Sequence, residues 1–477
     1  MTALAARVRD HSPMSASPAS HARRSGDGAG RAAWPTVAVI ALFLLSRLAA
    51  AVIPFGGTWY PEGHLVINDV RLYSVWADGL MSDVFPALDP MWQYPPLAAP
   101  LFMLGAIGPD DAIGFVLLAF LADAAAMAAL LVHANRSGRF GGAWLWAAAA
   151  VIVGPVFLTR FDVFPTSAVM VGLLLVASRP AVAGGLIGLG AALKVWPLLA
   201  LSALRRSSLP TGLAGFATVL AITSAAMWLW FGSQALSFLN GQSERGLQVE
   251  SVAALPFVVA HAFGADVPTR FRYGSMELDV AGAGAAAAAA TVLGLLLLLW
   301  LAVARLRGRL EHVPGADVAF TAVLVSVVAS RVFSPQYSIW LVGIGAVCLA
   351  SSRTRMRLPV LLVCVAAVIT QAIYPPLYAE LIGGFPGATA LQTARIGLVV
   401  TAMVLALRAV LGAQGRATTS GSTPSSSADS RAEMRSQPQA SSIQARPARP
   451  ISRASSGFAN SPVTRSAAAA GSPPATT

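Results

Sequence analysis

A carboxylate and a phenol stand four residues apart in the polar stretch 55–95. Asp69 and Tyr73, like Trp76 and Leu80, have the i, i+4 spacing of neighbours on one helix face, so the sequence predicts a short amphipathic helix there. A carboxylate on such a helix could take a proton from an attacking hydroxyl group as a general base. The alternative is that Asp69, like the other acids of the stretch, is simply solvated.

Cations interrupt apolar segments at three other places. Lys194, the only lysine of the chain, lies in the apolar run 185–204. A charge at the centre of a bilayer helix costs on the order of 2.5–3.5 kcal/mol, so Lys194 either extends to the lipid headgroups or has a functional role. Arg160 and Asp162 of "TRFDVFP" could form a structural tie. Because guanidinium groups bind phosphate with two parallel hydrogen bonds, Arg160, Lys194 and Arg331 together predict a phosphate site.

Further polar residues near these cations are candidates for substrate binding. They are Tyr73, Tyr94, Asp162, Arg245, Glu250, Gln336 and Tyr337. The sequence has no Walker A loop, no HExxH, no GxSxG and no His/Cys spacing typical of zinc, and a D-x-D metal motif is missing. The sequence therefore predicts neither a metal site nor a cofactor.

The composition is that of a membrane protein. Of 477 residues, 56% are hydrophobic and only 11% are charged, and apolar runs of about 17–25 residues, the length of a bilayer-spanning helix, recur. The net charge of +12 lies in the termini and short loops, which favours membrane topology and contact with anionic lipids over nucleic-acid binding.

Arginine-rich turns orient the predicted helices. The positive-inside rule places these turns and both termini in the cytoplasm and the candidate site on the outer face. The spans so predicted are 34–54, 112–134, 141–158, 163–178, 210–232, 280–304, 316–332, 336–351, 358–375 and 388–411. The pieces 96–108 and 252–264 are too short to cross, and 182–204 is expected to be re-entrant or broken near Pro197.

We therefore expect an all-α polytopic membrane protein of about 10–13 transmembrane or re-entrant helices. A single membrane domain, 34–412, contains the first extracytoplasmic loop 55–95. The basic N-terminus 1–33 and the Ser/Pro/Ala/Arg-rich tail 413–477 have no packable apolar pattern, so both are expected to be disordered and cytoplasmic.

Five stretches in this order resemble a known family. "NDVRLYSVWADGLMSDVFPALDPMWQYPPLAAPLF", "TRFDVFPTSAVM", "GLIGLGAALKVWPLLAL", "SERGLQVESVAALP" and "RVFSPQYSIWLV" are similar to segments of the glycosyltransferase family 87 membrane proteins of actinobacteria, members of the GT-C superfamily. The resemblance implies a GT-C-like fold, a polyprenyl-phosphate-mannose donor and a first-loop aspartate as base, the position occupied by Asp69. One departure is "SDVFPAL", which replaces the family's usual Gly-x-x-Tyr stretch.

The resulting hypothesis is an inverting α-mannosyltransferase-like enzyme that uses a polyprenyl-phosphate sugar. Its partners would be that donor, an envelope lipid or glycan acceptor and membrane lipids, with no nucleic acid. Two alternatives stay open. Intramembrane charges and broken helices are also typical of a lipid or solute transporter, and family membership does not ensure activity, so a non-catalytic assembly partner for envelope enzymes is the second.

Overall fold

The computed structural model describes residues 24–55, 60–108, 110–242 and 245–419. The predicted tails, 1–33 and 413–477, lie largely outside these ranges. In the described part the α-helices are α1 (Arg24–Phe55), α2 (His64–Met81), α3 (Ala98–Gly105), α4 (Asp111–Ser137), α5 (Gly141–Val153), α6 (Val156–Thr159), α7 (Val163–Leu175), α8 (Pro180–Leu193), α9 (Leu209–Phe231), α10 (Leu255–Ala262), α11 (Ala283–Leu306), α12 (Gly315–Val328), α13 (Tyr337–Leu349), α14 (Arg357–Ile373), α15 (Tyr378–Ile382) and α16 (Pro386–Thr419).

Apolar helices dominate the described chain. Five segments are long and apolar enough to cross a membrane by length and composition: Trp34–Ile53, Asp111–Ser137, Leu209–Leu239, Ala283–Leu306 and Pro386–Gly412. Shorter apolar helices of 10–17 residues include α5, α7, α8, α12, α13 and α14. The predicted fold class, an all-α polytopic membrane protein, is confirmed.

Burial divides the helices into an inner and an outer group. Nearly every side chain of α12 and α13 is buried, as expected for helices that are apolar on all sides and packed in the interior. Only 11% of the most apolar window in Leu209–Leu239 and 17% of that in α11 are buried. Inside the bundle, Arg47 of α1 pairs with Asp123 of α4 at 2.8 Å, which satisfies both buried charges.

Two apolar segments, the predicted span 141–158 and the segment 182–204, are interrupted. The span predicted at 141–158 ends as α5 at Val153, because Gly154 adopts a positive φ of 82°, and the chain continues as the short α6. In 182–204 the predicted break is present, at Lys194 rather than Pro197. Lys194 has an extended backbone (φ −157°, ψ 140°), and a 3-10 helix, Trp196–Ala203, follows.

A small antiparallel sheet was not predicted from the sequence. Its strands are β1 (Leu247–Gln248), β2 (Thr269–Arg272) and β3 (Ser275–Leu278), in the order β1-β3-β2. Tyr273 and Gly274 form the β2–β3 turn with positive φ values of 49° and 76°, the combination of a two-residue type I′ hairpin. The strands are so short that their alternation does not stand out in the sequence.

Candidate active site

Polar residues from distant segments of the chain line one cavity of about 450 Å³. Its walls come from α2, the segment before α3, the break between α8 and the 3-10 helix, the β2–β3 turn and the start of α13. The polar residues on its wall are Asp69, Tyr73, Gln93, Tyr94, Lys194, Arg245, Tyr273, Ser275, Ser334, Gln336 and Tyr337. Trp76, Trp196 and Trp340 also line the cavity.

Asp69 reaches the cavity from the predicted helix, which is confirmed as α2. The apolar residues of α2, among them Val70 and Trp76, face the core, and Asp69 lies at the edge of that face with 34% of its side chain exposed. Its Oδ2 lies 2.7 Å from Nη1 of Arg160, which is 4% exposed. The pair orients the carboxylate, while no described side chain hydrogen-bonds the other oxygen, Oδ1.

Two contacts besides the ion pair hold the guanidinium group of Arg160 in place. Its Nη1 lies 3.4 Å from the carbonyl oxygen of Val66, and its Nη2 donates to the phenol oxygen of Tyr374 at 3.1 Å. Burial alone lowers the pKa of this guanidinium, but Asp69 raises it and the net pKa is above the ordinary value. Arg160 therefore stays charged as the permanent counter-ion of Asp69.

Lys194 lies where α8 ends and its backbone turns extended. Its Nζ donates to Oδ1 of Asp162 at 2.7 Å, and the indole Nε1 of Trp340 donates to the same oxygen. The ammonium is also 5.6 Å from the ring of Tyr94 and 5.3 Å from that of Trp340, within cation–π range. Asp162 is 1% exposed and Lys194 is 20% exposed, so the cation faces the cavity and the anion lies behind it.

Aromatic side chains give the cavity a rigid wall. The hydroxyl groups of Tyr73 and Tyr94 are 2.9 Å apart, and burial raises the pKa of both phenols, so both stay neutral. Trp340 stacks on Tyr337 with ring centroids 4.0 Å apart and on Trp196 at 4.9 Å. The rings of Trp196, Trp340 and Tyr337 therefore form one continuous stack in the wall of the cavity.

Arg245 lines another wall of the cavity. Its Nη2 donates to the carbonyl oxygen of Tyr273 at 2.9 Å, and its Nε is buried without a hydrogen-bond partner in the described structure. The neighbouring Arg331 donates from Nη1 to the carbonyl oxygen of Arg245 at 3.0 Å. Arg331 does not line the central cavity. It lines two adjoining spaces, and Arg245 lines those as well.

Glu250 lies outside the cavity, in a buried network. Its carboxylate accepts from Arg395 at 3.2 Å and from Gln248 at 2.8 Å, and it is 1% exposed. Gln248 in turn accepts from the backbone N–H of Phe333 at 2.7 Å. The network therefore connects the chain next to Arg245 with the chain next to Arg331.

The structure brings most of the predicted site residues together and rearranges their pairing. Seven line the cavity: Asp69, Tyr73, Tyr94, Lys194, Arg245, Gln336 and Tyr337. Arg160 and Asp162 lie directly behind it, but the tie considered between them does not form, since each pairs with a different residue. Glu250 and Arg331 are elsewhere.

Sequence reasoning missed several wall residues. Trp340, Trp196 and Gln93 stand in segments that looked like ordinary apolar helix or loop, and Tyr273 lies on the unpredicted hairpin. Tyr374, which accepts a hydrogen bond from Arg160, lies at the end of the predicted span 358–375. The one available signal was tryptophan and tyrosine at the ends of apolar runs.

An apolar groove adjoins the cavity. It measures about 470 Å³ and runs between α8, α9 and the segment before α3. Pro95, Val195 and Phe238 line both spaces, so the polar cavity opens directly onto an apolar one. Within the described residues, no group of three or more His, Cys, Asp or Glu side chains could hold a metal ion.

Most of these residues fall within one recognisable domain. Residues 92–289 match the family model of glycosyltransferase family 87. The match covers less than half of the chain, and it indicates a membrane glycosyltransferase. The glycosyltransferase family 87 region includes Tyr94, Arg160, Asp162, Lys194 and Arg245 and begins after Asp69. No curated protein and no solved structure matches the chain.

Proposed function

We propose that the chain transfers a sugar, mannose by the resemblance described above, from a polyprenyl-phosphate donor to a hydroxyl group of an envelope lipid or glycan. The observation that carries this proposal is the shared wall of Pro95, Val195 and Phe238. A donor with a long apolar tail and a phosphate-linked sugar needs an apolar groove that ends in a polar, aromatic cavity. We place this cavity on the extracytoplasmic face of a GT-C-like bundle, with both termini in the cytoplasm.

Asp69 is the proposed base. Its Oδ1 accepts the proton of the acceptor hydroxyl while that oxygen attacks the anomeric carbon, and the bond from that carbon to the phosphate oxygen breaks. Attack opposite the leaving group inverts the configuration, as in inverting glycosidases with water replaced by the acceptor. Arg160 holds the carboxylate in position through its contact with Oδ2.

Lys194 is the proposed ligand of the departing phosphate. It directly precedes Val195 on the wall shared with the apolar groove, so a tail in the groove brings its phosphate to this ammonium. One N–H of Lys194 is used by Asp162, and the remaining donors point to the phosphate. Stabilising the developing negative charge there lowers the barrier. In this assignment Arg160 acts through Asp69, and Arg331 does not contact the donor phosphate.

Transfer by the purified full-length chain in proteoliposomes tests the proposal. Radiolabelled polyprenyl-phosphate mannose should label an envelope acceptor with inversion, and a nucleotide sugar should not. Leu220→Trp fills the apolar groove from α9 and should raise the KM for the polyprenyl donor about tenfold or more, with a smaller change in kcat. Ile222→Trp, at a 63% exposed position of the same helix outside the groove, is the matched control.

Two outcomes would contradict the proposal. Efficient transfer from a nucleotide sugar would mean a different donor class. Equal KM values of Leu220→Trp and Ile222→Trp for the polyprenyl donor would mean that the tail lies elsewhere.

A further inference from the structure

A second space with a charged head and an apolar body lies between α11 and α12. It measures about 330 Å³, and its head is formed by Arg245 and Arg331. Leu295 and Leu298 of α11 form its apolar body. The space is distinct from the groove between α8 and α9, because the two share no lining residue.

α11 and α12 are in close contact at one point, and the space lies beside that contact. A Cβ on Gly294 would lie 2.3 Å from Cβ of Ala329, so α11 and α12 touch at that point. Thr291, one turn nearer the arginines, lines the space, as does Ser330 at the end of α12. The opposite side of α11 is apolar and exposed, including Leu293 and Leu296, so the space lies on a helix suited to lipid contact.

Two guanidinium groups line the head of the space, those of Arg245 and Arg331. Among the described residues, neither Arg245 nor Arg331 has a carboxylate within ion-pair distance. Glu277 acts on Arg245 only from beyond ion-pair distance and accepts from the backbone N–H of Gly246 at 3.0 Å, and Asp279 pairs with Arg270 at 2.7 Å. Two guanidinium groups above an apolar body fit a phosphate on an acyl chain.

We propose that this space binds an anionic membrane phospholipid, with its phosphate between Arg245 and Arg331 and an acyl chain along Leu295 and Leu298. Since Arg245 and Tyr337 line both this space and the central cavity, the bound lipid forms part of the wall of the active site. The site is separate from that of the donor, and it does not depend on the proposed reaction.

Photo-crosslinking tests the lipid site on the full-length chain in phosphatidylcholine nanodiscs, without any sugar donor. A photoactivatable phosphatidylglycerol at low abundance should label α11 or α12, and a photoactivatable phosphatidylcholine should label them at least about tenfold less. Arg331→Gln should reduce the phosphatidylglycerol labelling about tenfold, because Arg331 lines this space and not the central cavity. Arg307→Gln, which removes an exposed arginine at the other end of α11, should leave it unchanged.

A second variant keeps the test decisive if Arg331→Gln does not fold. Leu298→Trp fills the apolar body and leaves both arginines in place, and it should abolish the labelling. Equal labelling by the two lipids, or full labelling of both variants, would overturn the proposal. Competition by millimolar inorganic phosphate would identify a site for a soluble anion instead, and competition by polyprenyl phosphate at equal concentration would identify a second donor site. Because no transfer is measured, failure here leaves the proposed reaction untouched.

Discussion

Two ion pairs in the cavity wall have opposite orientations. In the first, the acid Asp69 faces the cavity at 34% exposure and the base Arg160 is buried at 4%. In the second, the base Lys194 faces the cavity at 20% exposure and the acid Asp162 is buried at 1%. Both N–O distances are 2.7 Å. The two buried counter-ions stand two residues apart, between α6 and α7.

The difference shows how one short segment places opposite charges in one cavity. A buried charge is costly unless it is paired, so Arg160 and Asp162 can be retained only if each has a partner. The partners, Asp69 and Lys194, then present a carboxylate and an ammonium to the cavity, each beside its own counter-ion. The proposed transfer uses both, the carboxylate as a base for the entering hydroxyl and the ammonium as a cation for the departing phosphate.

The largest expected effect is the loss of the exposed acid. Asp69→Asn keeps the shape and an acceptor for Arg160 but removes the base, so transfer should fall about 10²–10⁴-fold while the protein stays inserted and binds the donor. The rate of transfer in proteoliposomes measures this. Asp78→Asn, an exposed acid on the same helix, is the matched control and should be unchanged. Near-normal transfer by Asp69→Asn would place the base elsewhere.

Replacing Lys194, the exposed base, should above all lower the stability of the protein. Lys194→Met leaves the buried carboxylate of Asp162 with only the indole N–H of Trp340, and removing one partner of a buried pair costs about 3–5 kcal/mol. The thermal midpoint in detergent should fall clearly. Adding Asp162→Asn should restore most of it, but not donor use. If Lys194→Met alone is fully stable, Asp162 does not depend on Lys194 for its charge.

The pair Glu250–Arg395 is a reference in which neither member faces the cavity. Burial raises the pKa of Glu250 from an ordinary 4.5 to about 7, with Arg395 opposing the shift. Because the folded state then holds a proton more tightly than the unfolded state, this residue stabilises the fold at low pH and loses that contribution as pH rises from about 4.5 to 7. Glu250→Gln should flatten the dependence of the thermal midpoint on pH across that window. An unchanged slope in the variant would assign the titration to another group.

The smallest expected effect concerns the second donor to Asp162. Trp340→Phe keeps the stack on Tyr337 and Trp196 but removes the indole N–H, and a hydrogen bond to a charged group contributes about 1.5–3 kcal/mol. The loss of stability should therefore be smaller than that of Lys194→Met. A double-mutant cycle of the two positions should give a clear coupling energy, and strict additivity would argue against a shared carboxylate.

The sequence by itself determined the elements that depend on local pattern. Apolar runs of sufficient length predicted the helices, the i, i+4 spacing of Asp69 and Tyr73 predicted α2, and the short runs around Lys194 predicted a broken helix. It also selected seven of the eleven polar residues that line the cavity, because polar groups in apolar surroundings need a reason to be there. These inferences required only neighbours within about one or two helical turns.

The tertiary structure alone decided which charges meet. A tie between Arg160 and Asp162 was one of the interpretations that the sequence left open, yet Asp162 binds Lys194 and Trp340, and Arg160 binds Asp69. Such choices depend on how α2, α8 and α13 pack against the segment between α6 and α7, and a one-dimensional pattern does not contain those distances. The apolar groove between α8 and α9 and the second space between α11 and α12 were also decided by the tertiary structure alone. Each exists only where two helices diverge beside a charged residue, and that divergence is set by close contacts such as that of Gly294 with Ala329.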